Sequence, residues 1–341
     1  MEHRTWNRKV VVVTGASSGL GRATAVQFAA KSYKVVLAAR RLEALEQTER
    51  LCREAGGDAL CVVTDVTREE DVNRLMRVAL AVNGAIDVWV NNAGVTLFGP
   101  LEEAPFEDHR RVLETNVFGP ILCARAVVPI FRKQGRGVMI NVGSILGKVG
   151  QPFVPSYVIS KFALRGLTDA LRAELAELRN VHICNIYPYA MDTPHFESGG
   201  NSTGRAAHPM PPTQSPEKVA RVIVKLAEHP RRERHVPRYA VLGLALHALM
   251  PRPVERAIAD SLRHWHFGSG TGGRSQGNLF APTHDPPGVH GRRRPRASAP
   301  RFFMWLAGRL LLTPRLRRPA IRPAPEPTEP ARLGPRVLSS R

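Results

Sequence analysis

Cysteine and lysine are both scarce in this chain. Its four cysteines, Cys52, Cys61, Cys123 and Cys184, form no C-x-x-C pair. That removes a zinc ribbon or a disulfide framework from consideration and suits a reducing, cytoplasmic setting. Cys61 and Cys184 lie inside apolar runs, as small buried hydrophobes do. Lysine numbers eight against 41 arginines, so guanidinium groups carry most of the formal charge of +20. The charge is uneven: residues 270–341 hold 14 arginines, no lysine and only three acids, Asp285, Glu326 and Glu329. No aromatic residues interleave a basic groove, so no nucleic-acid partner is expected. Long apolar runs are missing as well. The longest charge-free one, YAVLGLALHALM at 239–250, has twelve residues, where a bilayer span needs roughly 20. The start, MEHRTWNRKVVVVTG, passes from charges straight into a strand, without the apolar core of a signal peptide.

What the chain does have is an alternation of apolar, β-branched runs with helical patterns. Strands are predicted at about 9–14, 34–39, 59–64, 86–91, 137–142 and 181–187, with helices beginning near Gly19, Arg41, Glu69, Pro105 and Ser156. Continuous rather than alternating apolar strands, each followed by a helix, indicate a parallel sheet buried on both faces. The expected class is therefore α/β, a doubly wound sheet. After residue 268 the composition shifts. GSGTGGRSQGN reads as a linker, and most of the Pro/Arg/Gly-rich, basic segment 269–341 is expected to be disordered. Its one apolar run, within 301–313 and bounded by arginines, suits either an interfacial helix on anionic lipid or a docking segment.

The first strand ends in VVVVTGASSGLGRA, where Gly15, Gly19 and Gly21 stand in a G-x-x-x-G-x-G spacing. Glycine lets backbone approach a pyrophosphate closely, and the helix that opens here offers unpaired N–H groups to phosphate oxygens. Placed between a first strand and a first helix, the pattern Gly15, Ser17, Ser18, Gly19, Leu20, Gly21 reads as a dinucleotide turn. The second strand ends VVLAARRLEAL. Ala39 stands where an NAD site carries an acid for the ribose 2′-hydroxyl, and Arg40 and Arg41 follow. Arginine forks suit a 2′-phosphate, so NADP(H) is expected over NAD(H).

Further on, SYVISKFALRG places Tyr157 and Lys161 one helical turn apart. Taken alone, that spacing is common by chance. With the rest of the chain it resembles the short-chain dehydrogenase/reductase family in its single-domain branch, over nearly all of residues 6–230. The ordered motifs are TGASSGLG at 14–21, DV at 65–66, NNAG at 91–94, Asn116 in TNVFG, Ser144 in INVGS, and Tyr157-x-x-x-Lys161. The resemblance implies a mostly seven-stranded parallel sheet with its last strand near 234–242. It implies that Asp65 and Val66 flank the adenine and that Asn91, Ala93 and Gly94 line the cofactor. After strand six, PYAMDT keeps Pro188 and Thr193 of the family pattern, with Thr193 on the nicotinamide carboxamide, while Tyr189 replaces a glycine. It further implies Lys161 on the nicotinamide ribose, Asn116 positioning a water that connects Lys161 to solvent, and a homodimer or homotetramer through helices near 105–130 and 156–178.

The chemistry expected of these residues is hydride transfer between nicotinamide and a carbonyl or secondary alcohol. A phenol is a poor base at neutral pH, and a neighbouring cation favours its phenolate, so Lys161 is expected to lower Tyr157. Tyr157 then exchanges a proton with the substrate oxygen and Ser144 polarises that oxygen. A cofactor half at about 6–145 and a substrate half at about 146–268 make up the catalytic domain, 1–268. The Gly/Pro/Ser-rich stretch 194–216 reads as a mobile lid, with Phe153, Tyr189, His195 and Phe196 offering surface to an apolar substrate. Two other functions fit the pattern less well: a cofactor-retaining epimerase or dehydratase, and a non-catalytic NADP(H)-sensing or membrane-tethered protein. The protein is expected to be cytoplasmic, with peripheral membrane contact through its C-terminal tail as an option.

Overall fold

The computed structural model describes residues 9–271, 273–283 and 288–311. Its centre is a seven-stranded sheet: β1 (Val10–Thr14), β2 (Lys34–Ala39), β3 (Asp58–Val63), β4 (Val88–Asn91), β5 (Gly137–Val142), β6 (Val181–Pro188) and β7 (Glu233–Val236). The spatial order is β7-β6-β5-β4-β1-β2-β3, and every neighbouring pair is parallel. β1 shows why the run of valines is continuous. Val11 and Val13 face one helical layer while Val10 and Val12 face the other, and all four are fully buried.

One layer consists of α1 (Gly19–Ala29), α2 (Leu42–Glu54) and α7 (Pro216–Glu228); the other of α3 (Glu69–Asn83), α5 (Gly119–Gln134) and α6 (Pro155–Glu174). A helix α4 (Phe106–Leu113) runs into α5 through one wide turn at Glu114–Phe118. The run Phe106–Gln134 is long and apolar enough to cross a bilayer. Here its Val112, Cys123, Val127 and Phe131 are buried in the core instead.

The last strand begins where expected but ends at Val236, and residues 240–249 are helical: α8 (Ala240–Leu249), followed by α9 (Pro251–Trp265). The stretch 194–216, expected as a mobile lid, is tied down by two short ladders. Gly200–Asn201 pairs with Leu97–Phe98, and Arg205–Ala207 pairs with Phe267–Thr271. Part of the segment expected to lack fixed structure is also ordered. Residues 273–283 and 288–298 lie against the domain, and Ala299–Leu311 forms α10. Phe302 is buried there and Trp305 and Leu306 pack on Leu262 and Trp265 of α9, which is the docking rather than the lipid arrangement for this helix. Residues 312–341, including the end of the predicted 301–313 helix, lie outside the described residues.

Candidate active site

β1 and β4 are adjacent in the sheet, and the connections leave them in opposite directions. In open α/β sheets the crevice beyond such a switch point is where ligands sit. A cavity of about 320 Å³ opens there, at the carboxyl ends of the strands.

The glycine turn forms its floor. Gly15 has φ +66, and a Cβ on it would press 2.9 Å from the Ala93 backbone. A Cβ on Gly21 would stand 2.1 Å from the Gly15 carbonyl oxygen, so α1 can begin this close to β1 only with glycine. Asn92 braces the same turn, its Nδ2 donating to the carbonyls of Thr14 (2.9 Å) and Gly15 (3.3 Å). Arg22, buried, ties α1 to α2 through Thr48 Oγ1 (3.0 Å), and Thr48 in turn donates to Ala16 O.

Of the residues expected at the cofactor, Gly15, Ser17, Ser18, Gly19, Leu20 and Gly21 line the cavity at one end. Arg40, Arg41, Asp65 and Val66 line it beside them, and Ala93, Gly94, Tyr157, Lys161, Pro188 and Thr193 line the rest. Asn91 does not. It shares a strand face with Trp89, whose Nε1 donates to it (2.9 Å), and its own amide donates to Asn141 (2.8 Å) inside the core. The cavity-facing asparagine is its neighbour Asn92. The NNAG motif contained the right residue, and two-residue strand periodicity identifies which of the pair turns inward. Asn116 also stands back from the cavity. Its Oδ1 accepts from Val95 N (2.8 Å) and its Nδ2 donates to Val95 O (2.9 Å) and Ser160 Oγ (3.0 Å), so both amide hydrogens are committed to protein partners.

Ser144, Tyr157 and Lys161 meet at the inner end. Ser144 Oγ accepts from Leu146 N (3.1 Å), and its hydroxyl stands close enough to Tyr157 to favour the phenolate. Lys161 is buried and donates to Val142 O (2.9 Å), with Nζ 5.3 Å from the Tyr157 ring centre. Burial pushes Tyr157 up to about 12, against the pull of the Ser144 hydrogen bond. Burial also brings Lys161 down to about 8. Desolvation of the phenolate is thus the largest influence that the protein itself exerts on Tyr157. His195 stacks obliquely on Tyr157 at 5.7 Å, and burial followed by the Lys161 charge lowers it to about 4.

The outer end is closed by the chain's own later residues, which sequence reasoning did not place here. Arg40 donates to the carbonyls of Asn278 (2.7 Å) and Phe280 (3.2 Å), and Arg41 to Thr283 O (2.7 Å). Leu279, fully buried beside Val95, Leu97 and Val112, anchors this strap. The Gly19 N–H at the start of α1 donates to Gly288 O (2.8 Å). Asp65 sits under the same corner. Burial would raise its carboxyl, but hydrogen bonds from Thr67 and the Arg111 and Arg40 charges hold it below the usual range. Oxygen acceptors thus already occupy the α1 terminus and both arginines, the positions where a dinucleotide places its phosphates. The donor set fits such a group.

His266 was also missed. Its Nδ1 lies 2.7 Å from the His208 carbonyl, which can only accept, so Nδ1 carries the proton and Nε2 is left as an acceptor. That Nε2 is buried on the cavity wall without a partner among the described residues.

Known proteins are similar to this chain in sequence and in fold. The sequence profile of the short chain dehydrogenase family matches residues 9–202. The uncharacterized oxidoreductase YxnA of Bacillus subtilis is 40% identical over 259 residues, covering 75% of this chain and 73% of its own length. The 3beta-hydroxysteroid dehydrogenase 1 of Eggerthella lenta is 36% identical over 226 residues, 64% of this chain and 86% of its own. Among solved structures, a short chain dehydrogenase/reductase from Burkholderia phymatum in complex with NAD superposes with TM-score 0.65 at 26% identity, covering 72% of this chain and 95% of that one. An alcohol dehydrogenase from Thermococcus sibiricus complexed with 5-hydroxy-NADP gives 0.58 at 28% identity, covering 67% and 95%. With the glycine turn, the switch-point crevice and the Ser144–Tyr157–Lys161 group converging on one cavity, these likenesses place the chain among the oxidoreductases of the short-chain dehydrogenase family.

Proposed function

We propose that the protein is an NADP(H)-dependent oxidoreductase that interconverts a carbonyl and a secondary alcohol on an apolar substrate. The observation that carries this reading is the convergence of Ser144, Tyr157 and buried Lys161 in the same cavity as the glycine turn. A cofactor half, about 6–145, and a substrate half, about 146–268, divide the work. The α1 terminus and the glycine turn hold the pyrophosphate, and Asp65 and Val66 border the adenine. Arg40 and Arg41, with Ala39 in place of an acid, favour a 2′-phosphate. Thr193 and Lys161 hold the nicotinamide end. When bound, the nicotinamide supplies or accepts the hydride.

The protein's own residues manage the proton. The Tyr157 phenol is protonated at neutral pH and can give its proton to a carbonyl oxygen in reduction, or take one back through the phenolate in oxidation. With substrate bound, Ser144 turns its single hydroxyl hydrogen to the same oxygen, adding charge stabilisation where it develops. Lys161 holds a positive charge close to the phenolate that results. Phe98 and Phe196, stacked at 6.0 Å, supply an apolar wall. An apolar body with a carbonyl at one end suits this lining, and the hydroxysteroid relative supports that class.

Tyr157→Phe tests the assignment. With NADPH and a 3-keto steroid, turnover is expected to fall by about 10²–10⁴-fold, with NADPH affinity nearly unchanged. Retained turnover would remove Tyr157 from the mechanism. The protein is further proposed to form a homodimer or homotetramer through α4–α6, where Phe118 (57% exposed), Ile159 (54%) and Phe162 (42%) present apolar surface. Phe162→Glu is expected to sediment as a smaller species than the parent.

A further inference from the structure

α8 is unlike every other helix of the domain. From 239 to 250 the sequence is YAVLGLALHALM, with no acidic side chain, lysine or arginine, and none of the residues of α8 is buried. Leu242 is 73% exposed and Leu249 80%, with Tyr239, Val241 and Met250 beside them about half exposed. A helix of a globular domain normally hides its apolar stripe, and a contiguous exposed apolar patch marks a contact surface. Nothing among the described residues covers it.

The rim of the patch identifies the partner. Arg238 precedes α8, and Arg252 and Arg256 follow on α9, all exposed. The acid in this stretch, Glu255, is paired with His247 at 3.3 Å. The surface is therefore an apolar plate edged by guanidinium groups. A second copy of the chain is a poor match, because any two-fold contact through α8 would bring two arginine rims together. The segment 312–341, with seven arginines and two glutamates, meets the same repulsion. An anionic surface with an apolar interior satisfies both features.

We propose that α8 docks this protein on an anionic lipid bilayer, with Leu242, Leu249 and their neighbours at the acyl boundary and Arg238, Arg252 and Arg256 on headgroup phosphates. Ten residues of helix measure about 15 Å, which lies in the interface rather than spanning it. The role expected for 301–313 thus passes to α8, since α10 buries Phe302 against α9. The position also suits delivery of an apolar substrate. α8 begins just past the carboxyl end of β7, on the edge of the sheet that carries the cavity, and α9 behind it leads to His266 on the cavity wall. Vesicle binding does not depend on the proposed reaction, so the two readings stand or fall separately.

The test is co-sedimentation of the full chain with vesicles of phosphatidylcholine alone and of phosphatidylcholine with phosphatidylserine at about 2:1. Binding to the phosphatidylserine vesicles is expected, and Leu242→Glu combined with Leu249→Glu should reduce it about ten-fold or more. Because both side chains are exposed, the thermal midpoint and NADPH binding of that variant should match the parent. Arg252→Glu with Arg256→Glu should weaken binding and flatten its salt dependence, while Met304→Glu on α10 should leave it unchanged. The proposal is overturned if the parent binds neither vesicle, if it binds both equally, or if the double leucine variant binds as the parent does. A lipid-free parent assembly that the leucine substitutions dissociate, with no vesicle binding by either protein, would assign α8 to contacts between copies instead.

Discussion

The two ends of the cavity are built by different means. At the inner end the group follows a single strand end: Ser144 comes just after β5, and Tyr157 and Lys161 lie on the helix that follows. At the outer end, Arg40 and Arg41 are held by backbone carbonyls some 240 residues away, from Asn278, Phe280 and Thr283. Strand ends and short turns are specified by local residue types, because glycine spacing and apolar runs have direct steric causes. A carbonyl acceptor can come from any residue, so no side-chain pattern announces it. The difference teaches that this family's chemistry is written locally, while access to it is set by the chain's later, less regular third.

Substitutions at each end separate the two. After the loss expected for Tyr157→Phe, the next largest effect is at the arginines. Arg40→Ala removes a charge-assisted partner for a 2′-phosphate and should cut the NADPH-over-NADH preference in kcat/KM by about ten-fold or more. An unchanged preference would mean that the second-strand end does not read the cofactor. A smaller effect of opposite sign is expected at the strap. Leu279 is fully buried, and Leu279→Ala loosens 276–283 at a cost of about 2 kcal/mol or more. NADPH should then bind a few-fold more tightly, since the Arg40 and Arg41 forks exchange carbonyl oxygens for phosphate with less opposition. Weaker binding in that variant would make the strap a supporting wall of the cofactor site.

The smallest effect concerns pH. Burial keeps His195 and His266 at about 4, so both rings are neutral from pH 5 to 7 and carbonyl reduction should be flat across that range. Above about 8, buried Lys161 gives up its proton and its support for the phenolate, so the rate should fall there. A step near pH 6.5 in kcat/KM would instead assign a titrating imidazole to the mechanism.

These contrasts also mark how far the sequence could be read. The six predicted strands lie within two residues of the observed ones. In the five inner strands, apolar runs buried on both faces leave little room for another structure. The more exposed edge strand β3 follows from its β-branched end. The turn at Gly15–Gly21 and the Ser144–Tyr157–Lys161 group were legible for the same reason: residue type and spacing carry the chemistry. Asn91 was misplaced by a single position, and in a strand one position is the difference between the two faces. The burial that raises Tyr157 was not legible, because spacing shows a nearby cation but not the depth at which the phenol sits. His266 has no motif at all; it matters through the His208 carbonyl that fixes its tautomer, a contact spanning 58 residues.

The central claim is that the switch-point crevice is a nicotinamide dinucleotide site. The most direct test is a fluorescence titration of the full chain with NADPH and NADH side by side. The account predicts saturable binding of both, with NADPH the tighter. Binding of neither would contradict it, whatever the likeness of the fold.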